Sequence, residues 1–222
     1  MRTLAIGDIH GCSASLRALL EAVEIQADDV VVTLGDYVDD GPDSSGVIGL
    51  LLRLEKKCTL IPLQGNHEQM MLEARSSPDK HKEWLRCGGD ATLKSYRRNE
   101  ETGRLEDVPR AHWQFLEERC KQYHETDHHF FVHANAYADL DLHEQPEYML
   151  RWERLGQSVP HTSGKVMVCG HTPQKNGRPL DLGHAVCIDT GAPSGGWLSC
   201  FEPTSRKYWQ ANEAGEIRSD RL

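Results

Sequence analysis

The first third of the chain alternates short apolar runs with stretches in which apolar residues recur at helical spacing. The runs are rich in β-branched residues, which is typical of strands buried on both faces of a sheet. They occupy residues 3–6, 30–34 and 58–63. The stretches between them predict two helices, one capped by Ser13 and one beginning at Asp43 or Ser44. This order predicts a parallel sheet with crossover helices.

The pattern changes in the rest of the chain. Residues 69–122 are predicted to be mainly helical, with polar breaks at 76–82 and 99–107 and one helix after Pro109. A strand, a helix and four short strands separated by Gly/Pro turns follow, the last four as in a meander. These elements are expected at residues 129–133, 144–155, 165–169, 185–188, 197–201 and 207–210. We therefore predict an α/β sandwich of two packed sheets flanked by helices, with residues 1–222 as a single domain.

The composition is that of an ordinary globular protein. Its 222 residues are 38% hydrophobic and 27% charged, which excludes a disordered or fibrous chain. The longest apolar run, residues 47–52, is far shorter than the roughly 20 residues that span a bilayer. Residues 1–6 lack the features of a signal peptide. We expect a cytoplasmic protein with no membrane partner.

Charge and cysteine usage narrow the function classes further. The net charge is −9 with neutral histidines, and an acidic chain repels phosphate, so no nucleic-acid partner is expected. The seven cysteines form no Cys-x-x-Cys pair, which is typical of reduced thiols in a cytosolic protein. Neither feature accounts for the twelve histidines, several of which follow predicted strands.

Polar side chains follow each of the three N-terminal strands, directly after a glycine. The loops are Gly-Asp-Ile-His-Gly at 7–11, Gly-Asp-Tyr-Val-Asp-Asp-Gly at 35–41 and Gly-Asn-His-Glu at 65–68. Because the carboxyl ends of parallel strands line one crevice, these loops should converge. Carboxylate, imidazole and amide groups suit divalent ions such as Mn²⁺, Fe²⁺ or Zn²⁺. The candidate ligands are Asp8, His10, Asp36, Asn66 and His67, with Asp36 on the central loop as the natural bridge between two ions.

Two later strands also end in histidine. Residues 130–132 lead into His133, and residues 166–169 lead through Gly170 into His171. A histidine in this position is also common as a plain packed residue, and for each one taken alone that alternative stays open. In combination with the three polar loops, the two histidines favour a second metal ion.

These motifs, in this order, resemble those of the metallophosphoesterases and, more narrowly, the phosphoprotein phosphatase (PPP) family. The resemblance is closest to its small bacterial and phage serine/threonine phosphatase branch, which also has Gly-His-Thr-Pro and Ile-Asp-Thr-Gly, here at 170–173 and 188–191. It covers residues 3–201 and is weak in the middle segment. It implies a calcineurin-like fold of two mixed β-sheets and a metal-dependent phosphoester hydrolase.

The resemblance also implies a role for each matching residue. The first ion would be held by Asp8, His10 and Asp36. The second would be held by Asp36, Asn66, His133 and His171. Mn²⁺ is the expected metal, with Fe or Zn as alternatives. His67 would protonate the leaving oxygen, oriented by Asp39, and Arg154 would contact the phosphate. Arg151 is a weaker candidate, and for either arginine a surface charge on an amphipathic helix is the alternative.

The chain departs from the family pattern at two positions. Asp40 stands where the family usually has arginine, and Asn135 stands where it commonly has glycine. An arginine would grip a phosphate dianion, whereas an aspartate facing the metal ions would repel it. Either Asp40 points away from the metal ions, or the substrate is held differently, by another basic residue or through a positive group of its own.

Two charged segments are candidates for shaping the substrate groove. The basic residues of segment 80–110 fit a solvated helix face better than a substrate groove. The acidic residues that follow His133 are candidates for selecting cationic substrates, with ordinary helix-start charges as the alternative. They are Asp139, Asp141, Glu144 and Glu147.

Three functions remain open from the sequence. The favoured one is a metallophosphatase that uses a metal-activated hydroxide on a phosphorylated protein (phosphoserine, phosphothreonine or phosphotyrosine) or on a small phosphoester. The first alternative is a symmetrical dinucleoside-polyphosphate hydrolase with the same site. The second is a non-catalytic metal-binding module.

Overall fold

The computed structural model of the protein describes residues 1–97 and 103–222. Within these ranges, twelve strands form two sheets and seven α-helices flank them. The strands are β1 (Thr3–Ile6), β2 (Val30–Thr33), β3 (Thr59–Pro62), β4 (Tyr123–Glu125), β5 (His129–Val132), β6 (Val166–Cys169), β7 (Leu180–Asp181), β8 (Ala185–Cys187), β9 (Asp189–Thr190), β10 (Trp197–Glu202), β11 (Lys207–Ala211) and β12 (Ile217–Arg221). The α-helices are α1 (Ser13–Val23), α2 (Ser44–Leu54), α3 (Asn66–Glu73), α4 (Pro78–Trp84), α5 (Asp90–Ser95), α6 (Arg110–Gln114) and α7 (Glu147–Arg151).

The first sheet has the strand order β12-β11-β10-β1-β2-β3, with β9 pairing with β10. Strands β1, β2 and β3 are parallel, which confirms the predicted crossover arrangement. Helices α1 and α2 cover one face of this sheet with buried residues such as Leu16, Leu19, Val47 and Ile48. Burial of each such side chain contributes about 1.5–3 kcal/mol to the free energy of folding.

The second sheet has the order β4-β5-β6-β8-β7. Its central strands β5, β6 and β8 are parallel, and its outer strands are antiparallel to their neighbours. Phe131, Val168 and Val186 from this sheet pack against Val32 and Phe201 from the first, so one core lies between the sheets. This confirms the predicted sandwich of two mixed sheets flanked by helices.

The structure corrects several predicted element boundaries. Ser13 is the first residue of α1 and not its cap; its hydroxyl donates to Asp43, while Cys12 occupies the cap position without a side-chain bond. The predicted break at 76–82 is wrong in part, because Ser77 caps α4 and Pro78 begins it. The polar residues there form the exposed face of a short helix.

The predicted helix at 144–155 is shorter than expected, because α7 ends at Arg151 and Trp152 leaves helical geometry. The meander prediction holds only for β10 and β11, since β6 pairs in parallel with both β5 and β8. Strands β4, β7, β9 and β12 were not predicted. The predicted break at 99–107 lies partly outside the described residues, as does Arg98 of the basic segment. No helix among the described residues is long and apolar enough to cross a membrane.

Candidate metal centre and acid–base pair

The loops after β1, β2 and β3 meet around Asp36. The backbone carbonyl of Asp36 accepts the N–H groups of Ile9 and His10, at 3.0 and 2.7 Å, which ties the first loop to the second. The backbone N–H of His67 donates to Oδ1 of Asp36 at 3.2 Å, which ties the third loop to the same residue. The sequence prediction that these loops converge is therefore confirmed.

The backbone around the cluster is held in uncommon conformations. His10, Asp36 and His171 have φ angles of 43°, 50° and 60°, in the left-handed region that residues with a Cβ rarely adopt. Gly170 allows the chain to pass very close to Asp8, because a Cβ at this position would lie 1.9 Å from Oδ1 of Asp8. Such strain persists where surrounding contacts enforce it, which is common at functional sites.

Three histidines direct one ring nitrogen each toward the cluster. The other ring nitrogen donates to a backbone carbonyl: Nδ1 of His10 to Val38 at 3.0 Å, Nδ1 of His133 to Leu34 at 2.9 Å, and Nε2 of His171 to Trp152 at 3.0 Å. In a neutral ring the remaining nitrogen then carries a lone pair. These bonds present Nε2 of His10 and His133 and Nδ1 of His171 to a shared space, as in metal-binding histidines.

Acceptor atoms crowd together at the centre of the cluster. Nε2 of His133 lies 3.0 Å from Oδ1 of Asn66 and 3.1 Å from Nδ1 of His171. Oδ2 of Asp36 lies 3.4 Å from Nε2 of His10 and 3.5 Å from Nε2 of His133. Burial lowers the pKa of His133 to about 4, so this ring is neutral at pH 7 and supplies no proton to the cluster. A cation between the lone pairs of Asn66, His133 and His171 would relieve their repulsion. At His10, by contrast, burial lowers the pKa, but the hydrogen bond and charge of Asp36 outweigh burial and raise the pKa to about 10.

Asp8 completes the donor set. Its Oδ2 accepts the backbone N–H of His171 at 2.8 Å, while its buried Oδ1 has no hydrogen-bond partner among the described residues. Burial, followed by the charges of Asp189 and Asp36, raises the pKa of Asp8 well above its usual range. A buried carboxylate oxygen without a partner is costly unless a cation binds it. The donors, which include no thiolate, therefore fit divalent metal ions.

The structure thus brings all six predicted metal-ligand residues together. Two groups could each hold an ion, and Asp36 belongs to both. The groups are His10, Asp36 and His67, and Asp36, His133 and His171. His67 was also a ligand candidate on the residues alone, whereas the family resemblance makes it an acid; its contacts, described next, favour the second role.

His67, which is partly exposed, forms a pair with the buried carboxylate of Asp39 at the edge of the cluster. Nδ1 of His67 donates to Oδ2 of Asp39 at 2.8 Å. Asp39 also accepts the indole N–H of Trp84 at 3.0 Å and the hydroxyl of Thr92 at 2.8 Å. Burial alone would lower the pKa of His67, but the carboxylates of Asp36 and Asp39 raise it. The pair can therefore hold a proton on His67 beside the proposed metal ions.

Two donors to Asp39 come from the middle of the chain, where no motif predicts a catalytic role. Trp84 ends α4 and Thr92 lies in α5, and both side chains are fully buried. Gly89 leaves room for the Trp84 indole, because a Cβ at position 89 would lie only 2.4 Å from the Trp84 ring. The segment that resembles the family least thus positions the His67–Asp39 pair.

Glu68 and Asp189 are buried carboxylates that the sequence analysis did not assign, although both lie within quoted motifs. Glu68 accepts the backbone N–H groups of Asp36, Tyr37 and Gly65 at 2.7–2.9 Å and so holds the second and third loops together. Burial raises the pKa of Glu68 to about 7 and that of Asp189 to about 6. The signal for both was a carboxylate inside a motif on which the family resemblance rests.

Arg154 and Arg151 occupy different environments. Arg154 is exposed, and its backbone carbonyl accepts the side-chain N–H of Asn135 at 3.2 Å. This contact places it beside the loop that follows His133. Arg151 is buried, and its Nη1 donates to Gln69 at 3.3 Å and to Glu147 at 3.1 Å, while its buried Nε has no hydrogen-bond partner among the described residues. Of the two, Arg154 remains the candidate for contact with a substrate phosphate.

Asp40 lies behind His10. Its carboxylate is 3.7 Å from Nδ1 of His10, the nitrogen that faces away from Asp36, and its side chain is 48% exposed. Asp40 therefore does not point into the cluster of candidate ligands. It occupies the position where the family usually has an arginine, and its carboxylate leaves that side of the site negatively charged.

Comparison with known proteins agrees with this geometry. The profile of the calcineurin-like phosphoesterase family matches residues 1–184, which include all of the candidate ligands. The chain belongs to the calcineurin-like metallophosphoesterases. This metallophosphoesterase is therefore a hydrolase, and the predicted resemblance to the PPP family is confirmed by its curated relatives.

Two relatives align with most of the chain. The serine/threonine-protein phosphatase 1 of Salmonella typhimurium is 35% identical over 207 residues, which cover 87% of this metallophosphoesterase and 88% of the relative. The asymmetrical bis(5'-nucleosyl)-tetraphosphatase of Halalkalibacterium halodurans is 26% identical over 226 residues, with 88% and 87% covered. Their names thus specify two different substrates: a phosphorylated protein for the first relative and a bis(5'-nucleosyl) tetraphosphate for the second.

Solved structures show the same fold. A cold-active protein-tyrosine phosphatase from a psychrophilic Shewanella superposes with a TM-score of 0.69 at 18% identity, covering 98% of this chain and 80% of that one. A protein serine/threonine phosphatase from Saccharomyces cerevisiae gives a TM-score of 0.63 at 15% identity, covering 100% and 80%. At these identities the likeness concerns the fold of the metallophosphoesterase alone.

Proposed function

We propose that this metallophosphoesterase hydrolyses phosphate monoesters on protein side chains, chiefly phosphoserine and phosphothreonine, with phosphotyrosine as a further substrate. The observation that carries the proposal is the convergence of six ligand-type side chains next to the His67–Asp39 pair. The full-length similarity to a protein named as a serine/threonine phosphatase supports the choice of substrate class.

Two divalent ions, with Mn²⁺ expected, are the cofactors in this proposal. When bound, such a pair would lower the pKa of a water molecule and neutralise phosphoryl oxygens. One ion is assigned to Asp8, His10 and Asp36, and the other to Asp36, Asn66, His133 and His171. The carbonyl bonds that fix the three histidine rings support this assignment, because they set the lone pairs before any ion binds.

His67 is the proposed general acid. Because its Nδ1 is bound to Asp39, its Nε2 is the nitrogen that can deliver a proton to the leaving oxygen. A serine or threonine alkoxide is a poor leaving group, so protonation should contribute strongly to the rate. Arg154, exposed beside the histidine loops, is proposed to bind a phosphoryl oxygen.

Hydrolysis of dinucleoside polyphosphates is the second candidate function. It is supported by a full-length relative with that activity in its name and by several symmetrical tetraphosphatases that match about a third of the chain. Chromatography of products from a diadenosine tetraphosphate digest tests it directly. A non-catalytic metal-binding module is disfavoured by membership of a hydrolase family and by the intact His67–Asp39 pair.

The primary test compares the wild type with Asp8→Asn in hydrolysis of p-nitrophenyl phosphate and a phosphoserine peptide. We expect Mn²⁺ to stimulate the wild type and the substitution to reduce kcat by about a hundredfold or more, because it weakens one metal ligand. Asp28→Asn, an exposed carboxylate next to the N-terminus, is the matched control. Full activity after complete removal of metal would contradict the proposal.

A further inference from the structure

Three exposed aromatic side chains lie on the loop after His133 and at helix α7, next to the candidate metal centre. We name Tyr137, Tyr148 and Trp152 the aromatic ledge; they are 38%, 50% and 41% exposed. The hydroxyls of Tyr137 and Tyr148 are hydrogen-bonded, and Trp152 follows Tyr148 by one helical turn, with its N–H bound to the Tyr148 carbonyl. Scattered apolar residues are normal on a surface, but adjoining aromatic ones indicate an interaction site.

Two contacts of Trp152 attach the ledge to the centre. Its carbonyl accepts the Nε2–H of His171 at 3.0 Å. Its indole N–H donates to Oε1 of Gln69 at 3.1 Å, and Gln69 lies on α3 two residues after His67. The ledge therefore borders the loop of the candidate ligand His171 and the helix that carries the proposed acid.

The surface around the ledge is strongly acidic. Residues 137–154 contain five acidic and two basic side chains. All five acidic side chains are exposed: Asp139, Asp141, Glu144, Glu147 and Glu153. Of the two arginines, Arg151 is buried against Glu147, and only Arg154 is exposed. A ligand on this surface meets an excess of carboxylates.

A cavity beside the ledge combines both features. It has a volume of about 620 Å³ and is lined by Tyr137, Asp139, Glu153 and Arg154, among others. Glu153 also lies near Tyr148: the bond to Tyr137 and, to a smaller extent, the charge of Glu153 raise the pKa of Tyr148. A long side chain that enters here contacts an aromatic ring and a carboxylate together.

We infer that the aromatic ledge binds basic residues that flank the phosphorylated residue of a peptide substrate. The inference rests on the proposed function and names its substrate class. Arginine guanidinium groups pack on the faces of tyrosine and tryptophan and pair with carboxylates, so the ledge and its acidic border fit them in both respects. Asp40, which leaves another side of the site negative, is consistent with a substrate that carries positive charge.

The same charges disfavour a dinucleoside polyphosphate. Its aromatic bases could stack on the ledge, but the phosphates between base and reacting phosphorus are anionic, and five exposed carboxylates repel them. In an arginine-flanked phosphopeptide, only the phosphate is anionic. The metal ions and Arg154 are proposed to neutralise that phosphate.

The test uses three phosphoserine peptides that differ only in the two residues on each side of the phosphoserine: arginine, alanine or glutamate. For the wild type, kcat/KM should be about tenfold higher for the arginine peptide than for the alanine peptide, from two exposed charge pairs and one cation–π contact. The ratio should fall with added NaCl, because exposed charge pairs are screened. In Tyr148→Ala/Glu153→Gln, which loses the cation–π contact and one charge pair, the ratio should fall to about twofold.

Controls separate this inference from the proposed function. Ile217→Ala and Glu21→Gln change exposed residues on β12 and α1 and should keep the wild-type ratio. In metal-free protein, the unphosphorylated arginine peptide should shift the Trp152 indole N–H resonance. No shift, a wild-type ratio near one, or preference for the glutamate peptide or the dinucleotide overturns the inference. Failure to hydrolyse any phosphopeptide counts against the proposed function, and the resonance shift then still tests the ledge.

Discussion

At the scale of single residues, the proposed proton transfer depends on His67, whose ring is held by Asp39. His67→Asn removes the donor to the leaving oxygen but leaves the candidate ligand Asn66 and the rest of the cluster in place. We expect kcat to fall about 10²–10⁴-fold for phenyl phosphate, a poor leaving group, and much less for a substrate that needs little protonation. Rates for a series of aryl phosphates check this, and an equal loss across the series would argue against an acid role.

Asp39 depends in turn on donors from the middle of the chain. Trp84→Phe keeps the buried ring but removes the N–H that Asp39 accepts at 3.0 Å. A hydrogen bond to a charged group contributes about 1.5–3 kcal/mol, so urea unfolding of the metal-free protein should show a loss of that order. Trp152→Phe is the control, since its indole bond to Gln69 is exposed and its loss should cost clearly less. Equal losses would contradict this account.

At the scale of elements, the end of each strand decides how its loop reaches the cluster. After β6, Gly170 lies against Asp8, and an added Cβ would overlap Oδ1 of that carboxylate. Gly170→Ala should therefore displace Asp8 or the His171 loop and weaken Mn²⁺ binding about tenfold or more, measured by titration calorimetry. Gly156→Ala is the matched control, because nothing lies within 4 Å of its Cβ position. Similar Mn²⁺ affinity in both variants would exclude this role for Gly170.

At the scale of the whole molecule, one ion pair at the start of the first sheet makes the stability of the fold depend on pH in the acid range. Arg2 donates to Asp29 at 2.6 Å, and this bond is the main reason why the pKa of Asp29 falls to about 2. The carboxylate thus stabilises the fold above the unfolded pKa of 3.8, by about 2 kcal/mol, and this contribution disappears as pH falls through about 2.

Asp29→Asn tests this linkage. In urea unfolding of metal-free protein, the wild type should be more stable than the variant at pH 5, and the two should converge toward pH 2. The difference between the proteins is the readout, because other carboxylates titrate over the same range. A difference that stays constant from pH 5 to pH 2 would show that the Asp29 pKa is not lowered by folding.

Much of the fold and the candidate site could be predicted, because apolar periodicity and residue order carry that information locally. Apolar runs in the sequence predict the buried strands, and the candidate ligands follow those runs directly. The ends of elements were predicted less well. Helix α7 ends at Arg151, and the carbonyl of the next residue, Trp152, accepts a hydrogen bond from His171 in a distant loop. Trp84 and Thr92 were missed because their partner, Asp39, is likewise distant in sequence.

The sequence by itself determined which residue types could meet, since the carboxyl ends of parallel strands must share one edge of a sheet. Only the tertiary structure decided which ring nitrogen each histidine presents, that Asp40 lies behind His10, and which arginine is exposed. Those outcomes depend on contacts between residues far apart in the chain, and such contacts arise when the two sheets pack and the loops are forced into left-handed turns.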